Sequence, residues 1–173
     1  MLILFSGLPG TGKSAVADEL GRVLPAPVFS VDPIESAILG AGIEPSYATG
    51  LAAYGVAQNL ADTHLSLGHP VVADAVNGVE EARNAWRRIA GAHGVEQRVI
   101  HCVCSDERLH RERLETRRRN LSPRFREPTW SDVQRRRAEF VPWPEEHLVV
   151  DLVRPVPENV TRILRYIGRP DRA

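Results

Sequence analysis

The sequence predicts an α/β domain in which five short parallel strands form one sheet with helices on both faces. Three observations carry that prediction. Continuous apolar runs, Leu2–Phe5 and Val71–Ala73, read as strands buried on both faces. Segments of helical apolar period alternate with such runs along the chain. Gly, Pro and Asn punctuate the junctions between them.

The elements follow in order. Leu2–Phe5 is the first strand and opens into a glycine-rich turn over residues 7–14. Residues 15–24 read as a helix closed by Pro25, and Val28–Val31 as a second strand. Asp32-Pro33-Ile34-Glu35 then reads as a helix start, with Asp32 at the N-cap, Pro33 at the first helical position and Glu35 at the third. That helix ends near Gly40–Gly42. Helical spacing over Tyr47–Leu67 stops at Gly68-His69-Pro70, and Val71–Asp74 is the third strand. An amphipathic helix spans 79–92, with Asn77 as its cap and Gly94 beyond its end. Arg98–Cys104 is the fourth strand, Asp106–Arg119 a very basic helix, and 120–129 a Pro-containing loop. A short helix over Trp130–Phe140, a fifth strand over Leu148–Leu152 and a closing helix over Glu158–Ile167 complete a single domain, 1–173. Binding in such a sheet belongs at the carboxyl ends of the strands.

Composition narrows the partners. The 22 basic and 22 acidic side chains cancel, so nothing draws the whole molecule to nucleic acid or an anionic membrane. No apolar stretch approaches the roughly 20 residues of a membrane span, and no basic leader precedes Met1–Phe5. The two cysteines, Cys102 and Cys104, lie too close together to staple the fold; they imply a reducing, cytoplasmic setting and core packing on one strand face. Of the 22 basic residues 21 are arginine, and the lone lysine, Lys13, marks a position where arginine does not serve.

That lysine sits in Gly7-Leu8-Pro9-Gly10-Thr11-Gly12-Lys13-Ser14, which fits G-x-x-x-x-G-K-[ST] at every fixed position. Its glycines let successive backbone N–H groups turn inward around phosphate oxygens, and the following helix aims its positive end at the same anion. The expected nucleotide-binding set is Gly7, Gly10, Thr11, Gly12, Lys13, Ser14 and Ala15. Lys13 places its charge on the β- and γ-phosphates of ATP, and Ser14 offers a hydroxyl to Mg²⁺. A strand before and a helix after the motif are the context it requires, and together they predict the three-layer P-loop NTPase fold. A guanine-reading N-K-x-D motif and a Ser-Gly-Gly transporter signature are both absent, which leaves a small nucleotide-kinase-like enzyme.

From these residues the chain resembles the small P-loop kinases related to chloramphenicol phosphotransferase, the zeta toxins and the kinase domain of phage polynucleotide kinase. After the P-loop the resemblance runs through Phe29-Ser30-Val31-Asp32, through Val71-Val72-Ala73-Asp74, through Ala85-Trp86-Arg87-Arg88 and Arg111–Arg117, to Val149-Val150-Asp151. It implies strand order 2-3-1-4-5, an Arg-rich lid over about 111–128, and Asp32 as the catalytic base. The position agrees with the residues themselves, because a carboxylate after the second strand can reach a hydroxyl beside the γ-phosphate; Asp32 also fits a plain capping role. Asp74, ending an apolar strand, is expected to hold Mg²⁺ through a bound water or to meet the substrate hydroxyl. Arg113 and Arg117, four apart, are expected on one helical face over the transferring phosphate, with the remaining lid arginines at the surface or on the acceptor.

The expected activity is ATP-dependent transfer of the γ-phosphate to a hydroxyl of a small molecule: a metabolite, nucleoside or antibiotic. A nucleic-acid 5′-hydroxyl kinase, supported by the basic run 111–126, and a nucleotide-dependent regulatory module are the alternatives. A toxin-like enzyme acting on a nucleotide sugar also fits. Tyr47 and Tyr54 fit either an acceptor pocket or the core, while Trp86, Trp130 and Trp143 read as packing.

Overall fold

A computed structural model describes residues 1–169; the expected domain limit at 173 thus falls outside the described residues. The sheet holds β1 (Leu2–Ser6), β2 (Val28–Ser30), β3 (Val71–Asp74), β4 (Gln97–Val103) and β5 (His147–Asp151). All neighbours pair in parallel, in the order β2-β3-β1-β4-β5. This is the predicted order. The intervening helices are α1 (Lys13–Val23), α2 (Val31–Gly40), α3 (Tyr47–Ser66), α4 (Glu80–Ala92), α5 (Glu107–Thr116), α6 (Trp130–Glu139) and α7 (Val156–Tyr166).

The unalternating apolar strands explain the layering. Successive side chains of β1 point to opposite faces, and both faces are covered. Ile3 and Phe5 pack with Val16, Ala17 and Leu20 of α1 and with Val160 and Ile163 of α7. Leu2 and Leu4 pack with Ala53, Ala57 and Ala61 of α3 and with Trp86 of α4. The alanine spacing of α3 lets that helix lie close against the sheet. Register brings Phe5, Asp74 and Ser30 level across β1, β3 and β2, so the ends of these strands open onto one edge.

Several expected boundaries need correction. α2 begins at Val31, two residues sooner than the capping sequence implied, and Ser30 occupies the N-cap position. Asp32 is therefore inside the first turn and caps nothing. Asn77 is not a cap either. The N-cap of α4 is Val79, while Asn77 is fully buried at a positive φ of 49°. Its amide donates to the Phe5 carbonyl at 2.9 Å and accepts the Trp86 indole N–H at 3.1 Å, which ties the end of β1 to α4. α5 ends at Thr116, so Arg117 and the residues to 129 form an irregular segment rather than a continuation of the basic helix.

Candidate active site

The phosphate loop forms as its composition requires. Gly10 has φ 85°, and a Cβ there would lie 2.9 Å from the Leu114 side chain. Gly7 passes so near β4 that a Cβ would lie 2.3 Å from the Cys102 carbonyl. Side chains at either place would push the loop off its support. Thr11 is buried, and its hydroxyl donates to the Leu8 carbonyl at 3.0 Å, closing the loop on itself. Gly12 is the N-cap of α1, and Lys13, Ser14 and Ala15 form the first turn of that helix. Their free N–H groups and the helix dipole make this end an anion site.

α5 supports the loop from behind. His110, buried, donates from Nε2 to the Pro9 carbonyl at 2.8 Å and packs edge-on against Trp130. Arg113 donates from Nη1 to the Thr11 carbonyl at 3.1 Å and to the Leu152 carbonyl at 2.8 Å. In a loop whose N–H groups turn inward the carbonyls face outward, so Arg113 braces the outside of the cradle. Arg117 leaves the helix at φ −56°, ψ 141° and binds Glu127 at 2.5 Å. The expectation that Arg113 and Arg117 share one helical face is thus incorrect. The arginine beside Asp32 is Arg119, whose Nη1 donates to Asp32 Oδ2 at 2.7 Å while Nη2 reaches Glu127 at 2.5 Å.

Asp74 is the polar centre of the site. It is 3% exposed, and Lys13 Nζ donates to its Oδ1 at 2.5 Å. Ser14 Oγ donates to Oδ2 at 2.7 Å and Ser30 Oγ to the same oxygen at 3.0 Å. Burial alone would push the Asp74 carboxyl up. The Lys13 charge and the bonds from Lys13, Ser14 and Ser30 outweigh that and hold it below its ordinary value. Burial acts on Lys13 in the opposite sense, and Asp74 overrides it to raise the ammonium. Ser14 and Asp74 together supply hard oxygen donors beside the cradle, a set that fits Mg²⁺, which takes one or two protein ligands and keeps several waters. Among the described residues no cluster of three or more His, Cys, Asp or Glu offers a metal site elsewhere.

The signs of these two shifts set a pH dependence of stability. Asp74, lowered, contributes stability above its unfolded value of 3.8 that is lost as pH falls through the folded value. Lys13, raised, contributes below 10.5 and loses that contribution as pH rises past it. Asp74→Asn leaves Lys13 without its counter-ion, a loss of about 3–5 kcal/mol for a broken buried pair. The difference in thermal midpoint between the wild type and Asp74→Asn is expected to be constant from about pH 5 to 9 and to narrow below pH 4. A gap unchanged into acid would show that the pair contributes through packing rather than charge.

Of the remaining candidates, Tyr47 is 84% exposed and leaves the site. Tyr54 stays, its hydroxyl accepting the Asn77 N–H at 3.3 Å. Cys102 is buried in the α1–α7 core, where burial pushes its thiol well up, and Cys104 is half-buried. Trp86 and Trp143 are packed in the core, the latter donating to Ser6 Oγ at 3.1 Å. Two site residues, Ser30 and Glu127, escape reading from sequence alone, and Arg119, expected at the surface or on the acceptor, is instead the partner of Asp32. A usable signal existed only for Glu127, the one acid within 117–127.

Solved structures similar to this chain share its fold. A kinase-fold protein from Chloroflexus aurantiacus is 20% identical over 96% of both chains, with a TM-score of 0.77. Kti12 from Chaetomium thermophilum in complex with ADP-AlF3 is 16% identical over 97% of both chains, with a TM-score of 0.73. The APS kinase CysC from Mycobacterium tuberculosis in complex with AMPPNP and APS is 18% identical over 96% of both chains, with a TM-score of 0.66. No curated protein matches the sequence. The architecture is that of the small P-loop kinases. The sequence itself matches a family over residues 2–140, well beyond half its length, and the chain belongs to that family, the AAA domain.

Proposed function

We propose that the protein transfers the γ-phosphate of ATP to a hydroxyl group of a small molecule, with Mg²⁺ held by Ser14 and Asp74. One observation carries this reading: a carboxylate outside the fold's own scaffolding stands beside a phosphate cradle. Asp74 is committed to Lys13 and two serines. Asp32 is 39% exposed, and among the described residues its side chain binds only Arg119 of the lid segment. A nucleotide switch needs a cradle and a lid but no such second carboxylate.

The roles then follow from position. The N–H groups of Gly10–Ala15, with Gly7 shaping the turn, receive the phosphates, and Lys13 neutralises the β- and γ-oxygens. The acceptor hydroxyl gives its proton to Asp32 while its oxygen bonds the γ-phosphorus, and the β–γ bridging bond breaks to release ADP. Arg117 and Arg119 are the lid cations that can reach the transferring group, and Arg113 acts by bracing the loop. Solved neighbours with sugar, gluconate and APS kinase descriptions support transfer to a small molecule over a nucleic acid. So does the lid, where Arg117, Arg119 and Arg124 are paired with acids rather than presented as a basic stripe. No helix among the described residues is long and apolar enough to cross a membrane, and the two cysteines are free; we place the protein in the cytoplasm. A panel of hydroxyl compounds incubated with γ-labelled ATP and Mg²⁺ is expected to yield a labelled product for at least one. ATP consumption that never exceeds slow hydrolysis, whatever the acceptor, would favour the regulatory alternative.

A further inference from the structure

We infer that Arg136 binds the acceptor, and that the acceptor carries an anionic group beside its reacting hydroxyl. This inference rests on the phosphotransfer reading above. It starts from a contrast among the arginines. Among the described residues, every other buried or half-buried arginine holds a carbonyl or a carboxylate. Arg136 is half-buried and has no hydrogen bond or ion pair among the described residues. It follows by one turn the fully buried Val133 of α6, so it lies on the inward face of that helix. Its charge is felt by Glu35, one turn after Asp32 on α2, and by Tyr54 of α3, and the Asp32 charge acts on the same two groups.

A guanidinium partly withdrawn from water and left without a partner is unfavourable, and an incoming anion relieves that cost. Its planar fork matches a carboxylate or phosphate at two oxygens. Glu35 does not fill this role for the fold. Its carboxyl already takes the Thr49 hydroxyl at 3.4 Å, and burial with the neighbouring Asp32 charge raises it from its ordinary value. Gly50 has no Cβ, so α3 presents only backbone at a point where a Cβ would stand 3.7 Å from Glu35 Oε1. Asp32 and Glu35, one turn apart, can each meet a hydroxyl while Arg136 takes the anion. The chemistry recognised is a small hydroxylated anion, its charge supplied by a carboxylate, phosphate or sulfate.

The test is calorimetric binding to the protein loaded with AMPPNP and Mg²⁺. The probes are gluconate and glycerate as carboxylates, glycerol 3-phosphate as a phosphate ester, and glucose and glycerol as neutral controls. At least one anion is expected to bind while the neutral compounds do not, and the class that binds identifies the source of the charge. Arg136→Gln is expected to weaken that binding about 10–100-fold, the effect of losing a charge-assisted contact. AMPPNP affinity should not change and the thermal midpoint should not fall, since Arg136 makes no bond among the described residues and its charge is left without a partner. Arg136→Lys should fall between the two. In turnover the loss should appear in KM for the anion with little change in kcat. Anion binding that Arg136→Gln leaves intact, or no binding by any anion, overturns the inference; phosphorylation of neutral compounds alone does so while upholding phosphotransfer. Arg136-dependent anion binding without any labelled product would uphold the acceptor site and overturn phosphotransfer instead.

Discussion

Lys13→Ala is expected to remove phosphoryl transfer to the limit of detection in a labelled-ATP assay. Loss of one preorganised donor typically lowers kcat about 10²–10³-fold, and a full charge on the transferring phosphate contributes more than a neutral donor. The same substitution strikes the fold. Among the described residues Lys13 is the only counter-ion of Asp74, a carboxylate 3% exposed, and breaking a buried pair costs about 3–5 kcal/mol. Ser14 and Ser30 still donate to Asp74, and the vacated carboxyl can take up a proton, so the loss should fall toward the lower figure. Lys13→Arg separates the two effects. It keeps a positive charge against Asp74, yet its wide planar head cannot sit as a point charge on two phosphates within a close loop. Most of the stability should return in Lys13→Arg, and little of the turnover. Turnover near that of the wild type in folded Lys13→Ala would mean that the loop does not perform the chemistry assigned to it.

What the sequence disclosed and what it concealed divide by range of interaction. The phosphate loop was legible because its physics is local: φ values that glycine tolerates, and a strand and helix on either side. Strand order was legible because unalternating apolar runs must be buried on both faces, and the family resemblance ordered them. The start of α2 was misread because the best local cap, Asp32-Pro33, lost to a longer-range demand. Ser30 takes the N-cap position, but its hydroxyl donates to Asp74, 44 residues away, and makes no cap bond. Pro33 remains compatible, since the first helical turn needs no N–H from it. Asn77 looked like a cap and instead joins β1 to α4 through a contact 72 residues apart. The lid was misread for the same reason: continuing α5 would satisfy local helix spacing, but only a chain that leaves the helix brings Arg117 and Arg119 together on Glu127 and lets Arg119 reach Asp32.

Asp32→Asn should lower turnover by about 10²–10⁴-fold, the usual contribution of a general base, with little change in ATP affinity. Asp32 lies just past the end of β2 in the first turn of α2, on the far side of β1 from the β5 end where Arg113 meets Leu152, so the nucleotide contacts should stay. The helix should hold as well. Asp32 is inside the first turn and does not cap α2, and Asn keeps its size. What the fold loses is the ion pair with Arg119, whose partners are 24% and 39% exposed and therefore worth at most about 1 kcal/mol. Asn cannot take the acceptor's proton, and that is the loss the assay reads. In a loose transition state the proton moves late, which would bring the effect to the lower end of the range. Turnover and ATP binding by calorimetry, measured together on the variant, decide the role. If ATP binding disappears while the protein stays folded, Asp32 is a nucleotide or metal ligand. If turnover is unchanged, the base lies elsewhere. Asp74 is then a poor candidate, because Lys13, Ser14 and Ser30 occupy its oxygens and hold its carboxyl low. Glu35 becomes the better one: it stands one turn further along the same face of α2, its oxygens take no cation among the described residues, and burial raises its carboxyl from the ordinary value.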